Sequence, residues 1–184
     1  EIASRFRGAV SRNLKELSRS IDNGTVPEQM LAGAKYFRAT LYNFEGDPVA
    51  AYKDLQDARV WCESVPKAAE ELLYTIIFFQ GVTALRQGEN DNCVLCRGLS
   101  SCILPIDIAA QHKQQTGSRR AIQHFTEYLE QFPDDQDVRW LLNVAWMTVG
   151  EYPYNVPPQW LVPLDQFTQE EFRMGAFTNV AHEI

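Results

Sequence analysis

The sequence lacks the features that identify several common classes of protein. It has no G-x-S-x-G motif around a serine nucleophile, and no pair of acidic residues whose spacing assigns acid and base roles. Basic residues are few, 17 Lys and Arg against 24 Asp and Glu, and the formal charge of −7 disfavours nucleic acid and other acidic partners. The sequence therefore gives no reason to expect catalysis by this chain.

Long apolar runs are missing as well. The longest uncharged apolar stretch covers residues 72–85 and contains Gln80, so it is shorter than the roughly 20 residues that a helix needs to cross a bilayer. We therefore predict a buried helix there and no membrane span. The 184 residues are 45% hydrophobic, which is enough for one domain to bury a core without a metal or a disulfide.

Cysteine is scarce, with four residues in the chain. That number is too small for a disulfide scaffold but sufficient for one local bridge or one metal site. Cys62 shares the face of a predicted helix with other apolar residues, so it is most simply a small core residue. The other three, Cys93, Cys96 and Cys102, lie close together in the sequence.

Two separated segments resemble the two helices of a single tetratricopeptide (TPR) repeat. Residues 81–88 match the first helix, and residues 121–133, with their small, aromatic and proline positions, match the second. We predict that these segments form one antiparallel hairpin. An insert at about residues 89–117 would replace the usual turn and would hold the three clustered cysteines and His112.

Apolar periodicity and terminal residues predict the other helices. The second helix is expected to start at a capping box at Thr25 and to point Met30 and Phe37 inward, and Trp140 is expected on the inner face of the last helix. The predicted helices are residues 1–22, from Thr25 to Gly46, from Asp47 through Cys62, from Ser64 to Gln87, 119–132 and 136–149.

A proline-rich arm follows the last predicted helix. Four prolines between Glu151 and Pro163 rule out a regular helix and favour an extended segment. Because the end of a helical stack needs a cover, we expect the aromatic residues Tyr152, Tyr154 and Trp160 to shield it. The alternative is that these three residues line a binding groove. A short helix from Gln169 and a strand-like exit are predicted for the rest of residues 151–184.

The insert contains the residues with the clearest chemical potential. A disulfide between Cys93 and Cys102 would pin a helix-free loop by restricting the unfolded chain. Alternatively, Cys93, Cys96, Cys102 and His112 could bind zinc or copper, although the second ligand pair usual in such sites is missing. A redox dithiol at Cys93 and Cys96 and four inert thiols are the remaining interpretations. His112 itself is expected to be a solvated loop residue.

Several sequence blocks are similar to one known family. They read LRQGENDNC (85–93), SCILPI (101–106), GSRRAI (117–122), RWLLNVAWMTVGEYP (139–153) and VP (156–157). Together they resemble the helical-repeat region that precedes the FG-GAP propeller in bacterial proteins of the ASPIC/UnbV, or cartilage-acidic-protein-like, family. Residues 177–181 resemble the opening of that propeller's first blade.

The resemblance implies an N-terminal module of a larger secreted, periplasmic or surface-attached protein. An oxidising location would favour the bridge between Cys93 and Cys102. Cys96 stands where the family has a His or a variable residue, and this difference keeps the metal alternative open. The resemblance carries no assigned activity for this module.

We therefore predict an all-α fold, a TPR-like stack of helical hairpins over residues 1–150 with the Cys-containing insert, followed by the arm. The predicted function is a non-enzymatic interaction module without a cofactor, which uses the concave face of the stack to bind a peptide, a protein partner or its own downstream domain. The contrasting hypothesis is a metal-binding or thiol-redox accessory centred on the insert.

Overall fold

The computed structural model describes residues 8–93 and 104–164, and all regular structure within them is helical. The six principal helices are α1 (Ala9–Asp22), α2 (Glu28–Glu45), α3 (Pro48–Ser64), α4, α5 (Thr116–Gln131) and α6 (Gln136–Thr148). α4 has three parts, Pro66–Ala68, a π-helical turn at Ala69–Leu73 and Tyr74–Cys93. Short 3-10 turns occupy Ile108–Ala110 and Pro158–Trp160. The all-α prediction is confirmed.

Each helix packs mainly against its neighbours in the sequence. Two apolar clusters result, one where α2, α3 and α4 meet and one where α4, α5 and α6 meet. Cys62 is fully buried in the first cluster as a free thiol, as its position among apolar residues predicted. Leu55 and Ile76 are buried in the first cluster, and Phe125 and Leu142 in the second. α4 contributes to both clusters and is the central helix of the described part.

The predicted hairpin of α4 and α5 is present. Gly81 lies against Phe125, whereas Gly88 lies against Gly117 and Ser118, so the two helices run antiparallel. A Cβ atom at Gly117 would overlap the backbone of Gly88, which shows how closely the two backbones approach. Such an approach requires residues without side chains at the crossing.

The bounds of the insert need correction. Gly88 does not end α4, which continues to Cys93, and α5 begins at Thr116 rather than after a cap at Gly117. α4 continues past Gly88 because this glycine packs against α5. This packing outweighs the low helix propensity of glycine. The segment between the two helices is therefore shorter than predicted.

The two predicted helix starts at Asp47 and Thr25 have opposite outcomes. The Asp47 side chain accepts a hydrogen bond from the Ala50 amide at the start of α3, and Asp135 accepts one from Val138 at the start of α6. The capping box at Thr25 is absent. Its hydroxyl instead donates to the Ser20 carbonyl at the end of α1.

Three predicted inward residues are exposed. Met30 is 61% exposed, Phe37 is 52% exposed and Trp140 is 43% exposed. On α2 the buried positions are instead Ala32, Ala39 and Leu41. Small alanines fit closely against α3, and this contact turns the larger apolar side chains of α2 away from the core.

The arm covers α6 as predicted. Asn143 of α6 is fully buried, donates a hydrogen bond to the Trp160 carbonyl at 2.8 Å and accepts one from the Val162 amide at 3.0 Å. The Trp160 side chain joins the core formed by α4, α5 and α6. The described part of the arm contains turns and a 3-10 turn but no α-helix. The predicted helix from Gln169 and the exit strand lie outside the described residues.

α4 is also the one described helix that is long and apolar enough to cross a membrane, over Pro66–Asn92. Its polar Gln80 and Thr83 are buried, and they bond to Arg59 of α3 and Asn43 of α2. Contacts with α3 on one side and α5 on the other are typical of a core helix. The absence of a membrane span stays a prediction.

Candidate functional site

A large apolar groove opens at the end of the molecule formed by α1, α2 and the start of α4. Its volume is about 790 Å³, within the range of roughly 300–1,000 Å³ found for ligand sites. Most of its surface is apolar. The principal apolar side chains along it are Leu17, Val26, Pro27, Met30, Trp61 and Leu72.

The groove is open because small residues of α2 line it and the apolar stripe of α1 is only partly covered. Ala32, Gly33 and Ala34 of α2 lie along it, and a Cβ atom at Gly33 would meet no atom within 4 Å. α1 has a pronounced apolar stripe but no fully buried residue. The stripe of α1 is thus only partly covered by α2, which leaves apolar surface available for a further partner.

The groove ends at the π-helical turn of α4. Lys67, Glu71 and Leu72 line this end, and the turn itself spans Ala69–Leu73. A π-helical turn widens the helix by one residue and is frequent at functional sites. Lys67 and Glu71 are both exposed, and their charged groups lie 3.9 Å apart. The groove therefore has a polar rim and an apolar floor.

A second, smaller pocket lies on the other side of the π-helical turn. It has a volume of about 280 Å³ and is bounded by the start of α4 and the end of α5. Glu71 lines both the groove and this pocket. The other lining residues are Glu70, Tyr74, Thr75, Phe78, Tyr128 and Phe132.

A partly buried polar cluster joins α3 and α5 beside the core. Arg59 forms a two-pronged ion pair with Glu127, one prong being an Nη1–Oε2 hydrogen bond of 2.9 Å. The hydroxyl of Tyr52 is hydrogen-bonded to Nε2 of His124 at 2.7 Å. Both pairs cross between α3 and α5, which are not neighbours in the sequence. They fix the position of the two helices relative to each other.

His124 has an unusually low pKa. Burial and the positive charges of Arg59 and Arg120 lower its pKa to about 4, while Glu127 acts in the opposite direction. Its Nδ1 atom has no hydrogen-bond partner among the described residues. The imidazole is therefore neutral at pH 7, and His124 serves as a buried structural residue of the interface between α3 and α5.

The structure places the histidine of the insert in the protein interior. His112 is buried, its Nδ1 lies 2.7 Å from the Ser118 hydroxyl, and its amide donates to the Thr148 carbonyl. The prediction of a solvated loop residue is therefore wrong. Burial lowers the pKa of His112, while Asp91 acts to raise it.

The side chain of Asn92 holds the end of the insert against α4. Its amide nitrogen donates to the carbonyls of Gly88 and Gln114, and its oxygen accepts from the amides of Lys113 and Gln114. One buried amide thus satisfies several backbone groups before α5 begins. This is a structural anchor for the insert.

The cysteine hypotheses stay predictions. Cys93 ends α4, whereas Cys96 and Cys102 lie outside the described residues. Within residues 8–93 and 104–164, no group of three or more His, Cys, Asp or Glu side chains is arranged so that it could hold a metal ion. His112 already bonds to Ser118 through one ring nitrogen.

The aromatic residues of the arm are separated by the structure. Trp160 is only 6% exposed, Tyr152 donates its hydroxyl to the Val162 carbonyl, and Tyr154 is 92% exposed. Trp160 therefore contributes to the core, and within the described part of the arm Tyr154 is the one fully exposed ring. The candidate binding surface lies instead at α1, α2 and the start of α4.

Sequence reasoning missed this surface for a definable reason. Met30 was assigned to the core because it lies on an apolar stripe, and periodicity identifies an apolar face without showing what covers it. The available signal was Gly33 between Ala32 and Ala34, a run in which the sequence places no large side chain. Comparisons with models of protein families, with curated proteins and with solved structures gave no match.

Proposed function

We propose that this chain is a non-enzymatic interaction module that binds an amphipathic segment of a protein partner in the groove beside the π-helical turn. The observation that carries the proposal is the groove of about 790 Å³, with an apolar floor and charged residues at its rim. An amphipathic segment has the same arrangement, because its apolar face can enter the groove while its polar face remains in water.

The architecture supports this function. We propose that the successive packing of α1 to α6 is a TPR-like stack, in which each helix covers the apolar face of its neighbour. α1 is the first described helix, and its main contacts within the described residues are with α2. An incompletely covered end of a stack is a natural surface for a partner. The resemblance to the FG-GAP family adds the proposal that the module belongs to a secreted or surface protein.

Gly33 gives a test that does not disturb the fold. We expect Gly33→Gln to occupy part of the groove, because Gly33 lines it, a Cβ atom at this position meets no atom within 4 Å, and glutamine is a good helix former. The matched control is Gly33→Ala, which changes the same backbone position but leaves the groove open. Random peptides displayed on phage are selected on the wild-type protein, and their affinities are measured by fluorescence polarisation.

We expect the selected peptides to have apolar residues at helical spacing. They should bind the Gly33→Gln variant at least about tenfold more weakly than the wild type, because one large buried contact is lost. The Gly33→Ala variant should bind them as the wild type does. Peptides that bind all three proteins equally, or a selection that yields no binder in the groove, would contradict the proposed function. A competing downstream segment of the same protein would identify the partner as its own next domain.

A further inference from the structure

We propose that the pocket beside the groove, formed by Tyr74, Phe78, Tyr128 and Phe132 with Glu70 and Glu71, binds an arginine side chain of the partner segment. The inference rests on the proposed function for the source of the arginine, but the pocket can be tested without it. The ligand chemistry is a planar guanidinium group that is attached to an otherwise apolar segment.

The first argument is the arrangement of aromatic rings. The centroids of Tyr74 and Phe132 are 5.2 Å apart at an interplanar angle of 88°, those of Tyr128 and Phe132 are 5.0 Å apart, and those of Phe78 and Tyr128 are 5.9 Å apart. Rings from two helices thus meet in one cluster with differently oriented faces. A cation within about 6 Å of such a ring is attracted by its negative face.

The second argument is charge. Glu70 and Glu71 lie at the pocket, and its lining contains no basic side chain. Glu70 forms no ion pair within the described part of the chain, and Glu71 has only the loose contact with exposed Lys67. An incoming cation would therefore meet aromatic faces and one or two carboxylates with no competing positive charge inside the pocket.

The third argument is that two other tyrosine rings of this protein each lie beside an arginine. Arg38 lies over the ring of Tyr42 with 5.9 Å to the centroid, and Arg120 lies over Tyr52 at 5.1 Å. In the described residues no arginine or lysine lies over the four rings of the pocket. The pocket has the surroundings of a cation site while the chain itself supplies no cation to it.

The volume and position specify which cation. A volume of about 280 Å³ exceeds what a single small ion requires and accommodates the end of a long side chain. A guanidinium group stacks on aromatic rings and pairs with a carboxylate through two hydrogen bonds, which favours arginine over lysine. Glu71 borders both cavities, so an arginine that follows the apolar part of a bound segment would reach the pocket across the π-helical turn.

The experiment uses a small probe so that it does not depend on peptide binding. The full chain is titrated with N-acetyl-arginine N-methylamide, and aromatic NMR signals are followed. We expect saturable shifts of the Tyr74, Tyr128 and Phe132 signals, and weaker binding of the uncharged citrulline analogue. Tyr74→Leu removes one ring but keeps an apolar side chain, and it should weaken binding of the arginine probe by about two- to fivefold.

A charge-matched pair of variants tests the carboxylates. Glu70→Gln should weaken arginine binding by about two- to fivefold, whereas Glu16→Gln, the same change on α1 outside both cavities, should leave it unchanged. Shifts that do not saturate, or equal binding of arginine and citrulline, would overturn the cation site even if groove peptides bind. If the arginine probe binds saturably but the selected peptides bind the Gly33→Gln variant as tightly as the wild type, the cation pocket would be supported and the groove proposal contradicted.

Discussion

At the scale of single residues, the buried His124 makes the stability of the fold depend on pH. Its pKa is lowered from 6.5 to about 4 in the folded chain, first by burial and then by Arg59 and Arg120. Below pH 6.5 the unfolded chain therefore binds a proton that the folded chain does not, and stability is lost as the pH falls towards about 4. From the size of the shift, the loss is on the order of 3 kcal/mol.

The His124→Gln variant isolates this effect, because glutamine can still bond to Tyr52 but does not titrate. The free energy of unfolding of both proteins is measured by urea denaturation from about pH 7.5 to pH 4.5. We expect the wild type to lose more stability than His124→Gln over this range. Parallel curves for the two proteins would show that His124 is not a neutral buried residue.

At the scale of helices, the surroundings of each glycine determine the sign of two glycine substitutions. Gly117→Ala should destabilise the fold by about 1–3 kcal/mol, because the new methyl group would overlap the backbone of Gly88 and the Ala84 carbonyl. Gly33→Ala should stabilise it by about 0.5–1 kcal/mol, because α2 gains helix propensity and no clash. Urea denaturation of both variants checks the prediction, and a Gly117→Ala variant as stable as the wild type would contradict the described crossing of α4 and α5.

The attachment of the arm to α6 gives a second prediction at this scale. Asn143→Ala removes the partners of the Trp160 carbonyl and the Val162 amide, so we expect a loss of about 2–4 kcal/mol and faster hydrogen exchange at Val162. Asn155→Ala is the control, since within the described residues its side chain bonds to Glu151 at the surface, and it should cost less than about 0.5 kcal/mol. Unchanged exchange at Val162 in the Asn143→Ala variant would mean that the arm is held by other contacts.

At the scale of the whole molecule, sequence reasoning predicts the helices better than the surfaces between them. Asp47 marks a helix start in the sequence because a cap depends on residues within one turn. The hydrogen bond between Tyr52 and His124 joins residues 72 positions apart, and no local pattern encodes such a pair. The exposure of Met30 likewise depends on how closely the alanines of α2 pack on α3.

The candidate site could not be predicted from the sequence for the same reason, because it depends on contacts between distant residues. The aromatic residues of α4 and α5 are visible in the sequence at helical spacing, and that spacing alone assigns them to the core. Only the antiparallel packing brings Tyr74 beside Phe132 and leaves a pocket next to Glu70. The insert and the end of the chain add the predicted cysteine chemistry and the predicted downstream domain, which remain to be tested by other means.

The most direct test of the proposed function maps a selected peptide on the wild-type protein by backbone NMR. The groove predicts amide shift changes concentrated in residues 17–34 and 61–72, with further changes at Tyr74 when the peptide carries an arginine. Shift changes confined to α5, α6 and the arm would place the binding surface elsewhere and contradict the account.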